Sequence, residues 1–413
     1  MMGLMSRRMV RRRGVAALTA VVLVAALSAA GSPGAVAAAP CSLAVSASLK
    51  TSTHIAGGAT MRRYVARVGG PVTDKYDQKA KVIVSRFPEG VVPRLIHVKL
   101  GDRAGTGNTV RTHAPHALVA VNGDFFPERR IRGESVTLAR GPMILDGTVV
   151  RASARPKPVV GVTNAGAPFG GLLGIRGSVS VGADLGVRVL GVNWNAVRRH
   201  GATVFTSDWS DASSTPRPAG TTEWVLNSAD VIARVRTARV HRHKRGATVA
   251  ENTRVVAFVG HLARTAARAQ PGDVVSVSIR QRTLPRVRLQ TAVGRGLRLV
   301  RNGVAAPLDC GDYLNGARPR TVVGWTRGGL WRAITVPGSE FVGEGLRVGG
   351  FGLAQVAHVA RRMGLVNAFE LDGGGSTTLY TRTSRVWSRR DLWGVKGGNY
   401  ERPVPNGLAF VAR

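Results

Sequence analysis

Acidic residues and cysteines are scarce in this sequence. Its 413 residues include 23 Asp and Glu against 59 Lys and Arg, so the formal net charge at neutral pH is +36. A chain with so few carboxylates is attracted to polyanions, and for an exported protein these are anionic wall glycans and wall phosphates. The basic residues are scattered along the chain, which disfavours a specific nucleic-acid partner.

The only two cysteines are Cys41 and Cys310. In an oxidising compartment they either form a single disulfide that ties the N-terminus to the body of the protein or stay reduced. Two cysteines are too few for a metal centre built on thiolates, and the sequence offers no ligand spacing that would complete one.

Long apolar runs are absent after the N-terminus. Residues 1–37 combine five arginines, an apolar run over Val15–Ala30 and the small-residue motif Ala35–Ala37, which together predict a cleaved export signal. The pair Arg7-Arg8 also fits a twin-arginine signal, so the sequence is compatible with either the Sec or the twin-arginine route. We therefore predict a secreted protein, extracellular or associated with the cell wall, without a stable membrane span after signal cleavage.

The rest of the chain predicts one domain. Residues 38–60 are small and polar without a period, which predicts a loose leader before a domain over residues 61–413. Short strand-like runs broken by Gly and Pro fill this domain. The clearest helix is predicted over Leu353–Met363, where apolar residues recur at helical spacing before Gly364. The predicted fold class is α+β, predominantly antiparallel β with few helices.

One short apolar strand that ends in three glycines gives the strongest chemical signal. Side chains alternate along a strand, so its two acids share one face, and their mutual repulsion separates their pKa values. Glycines after a strand can expose backbone N–H groups to an anion. The alternative interpretation is a sharp turn with solvated acids at its rim. The strand lies within Val366–Leu379, and its polar and glycine positions are Glu370, Asp372, Gly373, Gly374, Gly375, Ser376 and Thr377.

Polar side chains also stand at the ends of three other predicted strands. Asn122 and Asp124 follow a buried-type apolar run and share one face, although Asn-Gly is also ordinary turn sequence. Arg320 and Thr321 open a strand, and Arg is suited to bidentate contact with phosphate. Asn193 ends another alternating run. Taken separately, each segment is also compatible with a turn or a solvated surface.

In their order along the chain, these segments resemble the phosphodiester glycosidase family, whose best-known type is N-acetylglucosamine-1-phosphodiester α-N-acetylglucosaminidase. The Leu-Asp-Gly-Gly-Gly-Ser segment after an amphipathic helix is the most specific match. The Asn-Gly segment is weak by itself. The resemblance covers nearly the whole chain after the leader and rests on Ala120–Phe126, Gly191–Asn193, Arg318–Gly324, Leu371–Thr378 and Glu401–Leu408.

The resemblance implies a hydrolase that cleaves a sugar-1-phosphodiester between the anomeric carbon and the phosphate oxygen, acting on cell-wall or exopolysaccharide material. Asp372 would serve as base or nucleophile, while Glu370 or Asp124 would position water or sugar hydroxyls at an oxocarbenium-like transition state. Arg320 and the glycine loop would donate to the phosphodiester. The implied substrate-binding residues are Asn122, Asn193, Arg320, Thr321, Gly373, Gly374, Gly375, Ser376, Thr377, Arg402 and Asn406.

The sequence requires no cofactor, and two other functions stay open. Clustered acids beside a glycine loop could hold a divalent cation such as Ca²⁺, although no ligand spacing demands one. The alternative function is a non-catalytic binding protein for anionic cell-wall glycans on the same scaffold. The third hypothesis is a nucleic-acid-binding protein driven by charge alone, for which a salt-steep, sequence-blind affinity for DNA would be the evidence.

Overall fold

The chain folds into four β-sheets and two helices in the part that the computed structural model describes. The described residues belong to one compact unit, Pro40–Arg413. The export signal predicted over residues 1–37, and both cysteines, lie outside the described residues. These are 43–69, 78–100, 110, 116–131, 134–182, 185–209, 215–238, 246–308, 317–338, 350–383, 386–389 and 402–413.

An eight-stranded antiparallel sheet contains the predicted acidic strand. Its two faces follow the alternation of side chains, since Val82 and Val84 pack in one core cluster and Ile83 packs in another. In spatial order its strands are β1 (Ala44–His54), β2 (Thr60–Gly69), β3 (Gln78–Arg86), β22 (Trp331–Val336), β21 (Arg320–Trp325), β23 (Asn367–Glu370), β19 (Arg298–Arg301) and β20 (Val304–Ala305).

The leader predicted over residues 38–60 is wrong from Ala44 onward. Strand β1 pairs antiparallel with β2 along its whole length, with one irregularity after Leu49. It is the edge strand of its sheet, and most of its side chains are exposed. Because neither face of β1 is fully buried, its sequence does not alternate between apolar and polar residues. The strand is stabilised by backbone hydrogen bonds, which small polar residues do not reveal.

An eleven-stranded sheet closes partly on itself. In spatial order its strands are β15 (Ile232–Thr237), β14 (Thr221–Leu226), β16 (Arg254–Val259), β13 (Ala202–Phe205), β12 (Leu185–Val192), β9 (Thr148–Ser153), β8 (Met143–Leu145), β18 (Leu289–Gly294), β10 (Lys157–Thr163), β11 (Pro168–Val181) and β17 (Val275–Leu284). Strand β11 pairs with β10 near its start and with β12 near its end, which joins six strands in a ring. Within the described residues, the pairing of β12 with β13 is the parallel exception in this sheet.

A five-stranded antiparallel sheet brings distant segments of the chain side by side. In spatial order it contains β25 (Val386–Arg389), β24 (Leu379–Thr383), β5 (Val119–Asn122), β26 (Asn406–Ala412) and β4 (Val91–His97). Asn122 at the end of β5 lies opposite Gly407, and Val121 lies opposite Leu379. The Asn-Gly segment, the glycine loop and the C-terminal segment therefore meet at one edge. A separate hairpin pairs β6 (Glu128–Ile131) with β7 (Glu134–Thr137).

Both helices bury an apolar face against a sheet. Helix α1 (His261–Ala266) packs in the same core cluster as Trp224 of β14. Helix α2 (Leu353–Arg362) packs its apolar residues with those of the eight-stranded sheet, and Gly364 follows it at a φ of 84°. The helix predicted over Leu353–Met363 is thus confirmed. No helix of the described residues is long and apolar enough to cross a membrane.

The fold class predicted from the sequence is confirmed at a coarse level. The described residues form mostly antiparallel β-structure with two helices. Local alternation and turn residues reveal strands, but they do not reveal how many sheets the strands will form, because strand partners are chosen by contacts far apart in sequence.

Candidate active site

The predicted acidic strand has the alternation that its sequence indicates. Phe369 and Leu371 belong to one core cluster, whereas Ala368 belongs to the cluster that contains helix α2. The strand ends at Glu370, and the next residues continue as a loop into a short 3-10 turn over Gly374–Ser376. Glu370 and Asp372 thus lie at the end of β23, next to its partner strand β21.

The glycine loop does not present a free row of N–H groups. The Gly373 N–H donates to Asp372 Oδ1 at 3.0 Å, and the Gly374 N–H donates to the Pro319 carbonyl at 2.9 Å. Gly374 has a φ of 59°, which favours glycine. The Gly373 N–H therefore holds the Asp372 carboxylate, and anion binding through the N–H groups of Gly373 and Gly374 stays a prediction.

Asp372 lies at the junction of two segments. Its N–H donates to the Gly123 carbonyl at 2.8 Å, and its own carbonyl accepts from Asn122 Nδ2 at 2.7 Å. Burial raises the pKa of its carboxyl to about 6, against the lowering effects of the Ser376 hydroxyl, the Gly373 N–H and the Arg402 charge. A carboxyl group with a pKa in this range can take up and release a proton near neutral pH.

Asp124 is nearly completely enclosed, with 3% of its surface exposed. Its Oδ2 accepts from the Gly141 N–H, and its own N–H donates to Asn406 Oδ1 at 2.7 Å. Burial raises its pKa to about 7, and the negative charge of Asp372 raises it further. The mutual influence of the two carboxyls shows that Asp124 and Asp372 belong to one electrostatic site.

Glu370 forms a buried ion pair with Arg320. Arg320 Nη1 lies 3.2 Å from Glu370 Oε1, and Arg320 Nε donates to the Phe351 carbonyl at 3.1 Å. The Leu297 N–H donates to Glu370 Oε2 at 3.3 Å. Burial raises the pKa of Glu370, while the guanidinium of Arg320 opposes that shift. Glu370 is thus held by a cation.

A cavity of about 390 Å³ lies beside these carboxyls. Asp124 and Glu370 line it, whereas Asp372 is half-buried and is absent from its lining. The cavity lies between the ends of β10 and β18 and the ends of β21 and β23. The Gly296 N–H joins the two sheets there by donating to the Glu370 carbonyl at 2.9 Å. The cationic residues in the lining are Arg140, Lys157, Arg295, Arg318 and Arg320.

Three glycines make room for the carboxylates at this cavity. A Cβ on Gly294 would lie 2.5 Å from Asp124 Oδ2 and 2.7 Å from the Gly141 Cα. A Cβ on Gly296 would lie 2.5 Å from Glu370 Oε2. These distances are far inside van der Waals contact, so the close approach of backbone and carboxylate requires glycine at both positions.

Asn122 and Thr321 are enclosed and hydrogen-bonded to each other within the protein. Asn122 has no exposed surface, and its Oδ1 accepts from Thr321 Oγ1 at 2.7 Å and from the Thr378 N–H at 3.1 Å. Its Nδ2 donates to the Asp372 carbonyl. Their hydrogen-bonding groups connect β5, β21 and the glycine loop, and the predicted sugar contact of both side chains stays a prediction.

Asn406 and Asn193 are also enclosed within the protein. Asn406 holds the Asp124 N–H with Oδ1 and contacts Met143 Sδ at 3.0 Å with Nδ2. Asn193 has a φ of 46° and donates to the Val150 carbonyl at 2.8 Å. Neither side chain has exposed surface. Asn406 therefore orients Asp124 and Asn193 stabilises a turn after β12, while their predicted sugar contacts stay predictions.

The remaining predicted residues lie around Asp372. Ser376 and Thr377 are buried in the turn, with the Ser376 hydroxyl lowering the Asp372 pKa. Gly375 is exposed. The Arg402 guanidinium lies 5.0 Å from the Phe126 ring centre and also lowers the Asp372 pKa. Arg402 is thus the predicted residue, besides Arg320, that brings positive charge to the site.

Sequence reasoning missed the cations from the eleven-stranded sheet. Arg295 follows β18 and Lys157 begins β10, and both line the cavity. In a chain with 59 Lys and Arg, a single basic residue carries no signal. The sequence Gly294-Arg295-Gly296 was the available clue, since two glycines around an arginine after a strand indicate close backbone approach.

The described residues contain no group of three or more His, Cys, Asp or Glu side chains that could hold a metal ion.

Comparison with known proteins supports a family resemblance. Residues 221–411 match the family model of phosphodiester glycosidases. The resemblance predicted from the sequence is confirmed. The phosphodiester glycosidase match includes Arg320, Glu370 and Asp372, whereas Asn122 and Asp124 precede it. No curated protein matches the sequence.

Two solved structures with TM-scores of 0.64 share the fold. A hypothetical protein from Synechocystis has a TM-score of 0.64 and 17% identity, with 91% of this chain and 68% of that chain covered. A proposed exported protein from Burkholderia pseudomallei has a TM-score of 0.64 and 15% identity, with 91% and 98% covered. The zebrafish N-acetylglucosamine-1-phosphodiester α-N-acetylglucosaminidase catalytic domain, auto-inhibited by its pro-peptide, has a TM-score of 0.40 and 15% identity, with 91% and 87% covered.

Proposed function

We propose that this protein is a secreted hydrolase that cleaves a sugar-1-phosphodiester, of the N-acetylglucosamine-1-phosphodiester kind, between the anomeric carbon and the phosphate oxygen. Its substrate would belong to cell-wall or exopolysaccharide material. The observation that carries the proposal is the meeting, at one cavity, of the Asp124 and Glu370 carboxyls with several cationic side chains, while Asp372 lies outside the lining but within electrostatic reach of both carboxyls. The match of residues 221–411 to phosphodiester glycosidases supports the same reaction class.

The cationic lining suits a phosphodiester anion. Guanidinium groups bind phosphate oxygens in bidentate geometry, and the interaction is strengthened where water is excluded. Arg320 is held in place by Glu370 and the Phe351 carbonyl, so it would lose little conformational entropy when a phosphate binds. Glu370 is accordingly a positioning residue for Arg320.

The two aspartates provide proton chemistry with separate roles. With a pKa of about 6, Asp372 is mostly ionised at pH 7 and suits the role of base or nucleophile. With a pKa of about 7, Asp124 keeps its proton in about half of the molecules at that pH and suits a hydrogen bond to the substrate. Groups with unequal pKa values at one site are typical of acid–base pairs.

The reaction balances with these groups alone. The bond between the anomeric carbon and the bridging oxygen breaks, and its electron pair leaves with the phosphate monoester. Water supplies the oxygen that bonds to the anomeric carbon, and its proton passes to Asp372, either directly or after Asp372 has formed and lost a glycosyl ester. A phosphate monoester is a weakly basic leaving group, so protonation of the leaving oxygen contributes little.

The test is sugar release from a phosphodiester of α-N-acetylglucosamine 1-phosphate by the mature protein, beside Asp372→Asn. We expect the mature protein to release free sugar and phosphate monoester and the variant to release neither. The first-formed anomer, followed by NMR, distinguishes base from nucleophile: inversion indicates the base, retention the nucleophile.

Two outcomes would overturn the proposal. Equal turnover by a folded Asp372→Asn protein would remove Asp372 from the chemistry. Tight binding of an anionic wall polymer without turnover of any sugar-1-phosphodiester would instead favour a binding protein on the same scaffold. Circular dichroism of both proteins provides the folding control.

A further inference from the structure

The cavity contains cations that the carboxylates of the protein do not neutralise. Arg320 is paired with Glu370. Arg295 has a hydrogen bond from Nη1 to the Gly296 carbonyl at 2.8 Å and stacks on Phe369 at 4.8 Å, and no described carboxylate forms an ion pair with it. The Arg295 Nε is buried without a hydrogen-bond partner among the described residues. A guanidinium in this position needs an anion.

Lys157 stands beside Arg295. The Arg295 N–H donates to the Pro158 carbonyl at 3.4 Å, and Val159 pairs with Gly294 across β10 and β18. Lys157 lies 5.5 Å from the Trp194 ring centre and forms no ion pair with a described carboxylate. Both cations therefore face the cavity from the eleven-stranded sheet, whereas the Arg320–Glu370 pair reaches it from the eight-stranded sheet.

Burial makes this cluster costly without a ligand. The pKa of Arg295 is lowered to about 10 by burial and by the nearby charge of Arg298. Arg298 also stacks on Phe369, at 5.4 Å, on the same ring that Arg295 contacts. Two guanidinium groups on one ring repel each other, and an anion between the sheets would relieve that repulsion.

We propose that Arg295 and Lys157 form a subsite for a second anionic group of the substrate, in addition to the phosphodiester that is cleaved. This inference rests on the proposed function for the position of the scissile group. One phosphodiester carries one negative charge, which is fewer than the two cations, Arg295 and Lys157, that have no ion pair with a carboxylate among the described residues. The substrate class is therefore an anionic glycan whose sugar or leaving group carries a further phosphate or carboxylate.

Calorimetric binding to the mature protein tests the subsite without any need for turnover. The probes are N-acetylglucosamine 1-phosphate, N-acetylglucosamine 1-diphosphate and glucuronic acid 1-phosphate. We expect one of the two probes with a second anion to bind about tenfold more tightly than the monophosphate, a factor that corresponds to one charge-assisted hydrogen bond. The diphosphate arm reports a second phosphate, and the glucuronate arm reports a carboxylate.

Substitutions at the subsite should remove this advantage selectively. In Arg295→Gln and Lys157→Gln, the tenfold preference should fall below about threefold, while affinity for the monophosphate should change less than twofold. Arg295→Lys should retain part of the preference, because it keeps the charge. Arg280→Gln, which removes an exposed arginine from β17, is the matched control and should keep the full preference.

Three results would overturn the subsite. If Arg295→Gln lost affinity for the monophosphate as well as for the other two probes, Arg295 would bind the scissile phosphate and not a second anion. An unchanged preference in both Gln variants would remove both residues from the subsite, and equal affinity of the wild-type protein for all three probes would show that no second anion is read. Sugar release that fails while the preference persists would overturn the hydrolase proposal alone.

Discussion

Two buried glutamates with arginine partners differ in what surrounds them. Glu223 of β14 has no exposed surface, and its carboxylate accepts from Thr215 Oγ1 at 2.5 Å and the Ala247 N–H at 3.2 Å. Arg217 Nε lies 3.4 Å from it. Glu370 has a comparable arginine partner but borders a cavity and adjoins two further carboxyls.

The comparison shows that a buried charge pair by itself is not a site. Burial raises the pKa of both glutamates, and an arginine opposes the shift in both. Around Glu223 the carboxylate accepts hydrogen bonds from the Thr215 hydroxyl and the Ala247 N–H, which is the arrangement of a structural network. Around Glu370, open volume and the aspartates of neighbouring loops leave room for a substrate. Substitutions in the two regions should therefore have opposite profiles in activity and stability.

The largest expected effect is on turnover. Asp372→Asn removes the proposed base or nucleophile next to Glu370, and we expect kcat to fall by about 10²- to 10⁴-fold, the usual contribution of such a group. Glu223→Gln, assayed at a temperature at which it is folded, should change kcat less than about threefold. Steady-state kinetics on the α-N-acetylglucosamine phosphodiester measures both; similar losses in the two variants would break the distinction between the regions.

The second effect concerns stability, and here we expect the substitution in the Glu223 region to have the larger effect. Glu223→Gln leaves the buried Arg217 without a counter-charge, and we expect the free energy of unfolding to fall by about 3 kcal/mol. Glu370→Gln should cost about 1 kcal/mol, since water in the cavity can solvate Arg320. Urea unfolding followed by circular dichroism gives both values. A larger loss in Glu370→Gln would mean that the cavity is as dry as the Glu223 network.

The third effect is a dependence of stability on pH. Asp124 has a pKa of about 7 when folded and 3.8 as a free side chain, so the folded state binds its proton more tightly. Its contribution to stability is complete below pH 4 and is lost as the pH rises through 7. From pH 5 to pH 8 the loss due to Asp124 should be about 3 kcal/mol, and Asp124→Asn should remove it and leave the smaller loss that Asp372, with its pKa of about 6, contributes. Unfolding at several pH values checks the slope; equal slopes in both proteins would contradict the assignment.

The smallest effect tests the close packing at the cavity. Gly296→Ala would bring a Cβ to 2.5 Å from Glu370 Oε2 and 2.8 Å from Phe125 Cε2. We expect kcat/KM to fall about tenfold, because Glu370 and the Arg320 it holds must shift. Gly186→Ala in β12 meets no atom within 4 Å and serves as the control. Full activity of Gly296→Ala would show that the position of Glu370 is not critical.

The structure places predicted acids at the candidate site and encloses the three predicted asparagines within the protein. Asp372 and Glu370 could be predicted because acids directly before three glycines are rare in a chain with 23 acidic residues. The side chains of Asn122, Asn193 and Asn406 could not be distinguished from substrate ligands. Whether an amide faces a cavity or ties two loops together depends on residues hundreds of positions away, such as Asp372 for Asn122.

The sequence by itself determined the local elements. The helix at Leu353, the apolar alternation of the core strands and the turn at the glycines follow from residue size, period and backbone freedom. These properties act over a few neighbouring residues, so the amino-acid sequence is enough to detect them.

Tertiary structure decided which of these elements share a site. It brought Arg295 and Lys157 from one sheet to the carboxyls of Asp124 and Glu370, and it raised the pKa of Asp124 by enclosing it. Burial and charge pairing are properties of three-dimensional neighbourhoods, and they depend on low local polarity as much as on residue type. An arginine among 59 basic residues acquired a distinct environment only when folding enclosed it without a carboxylate partner.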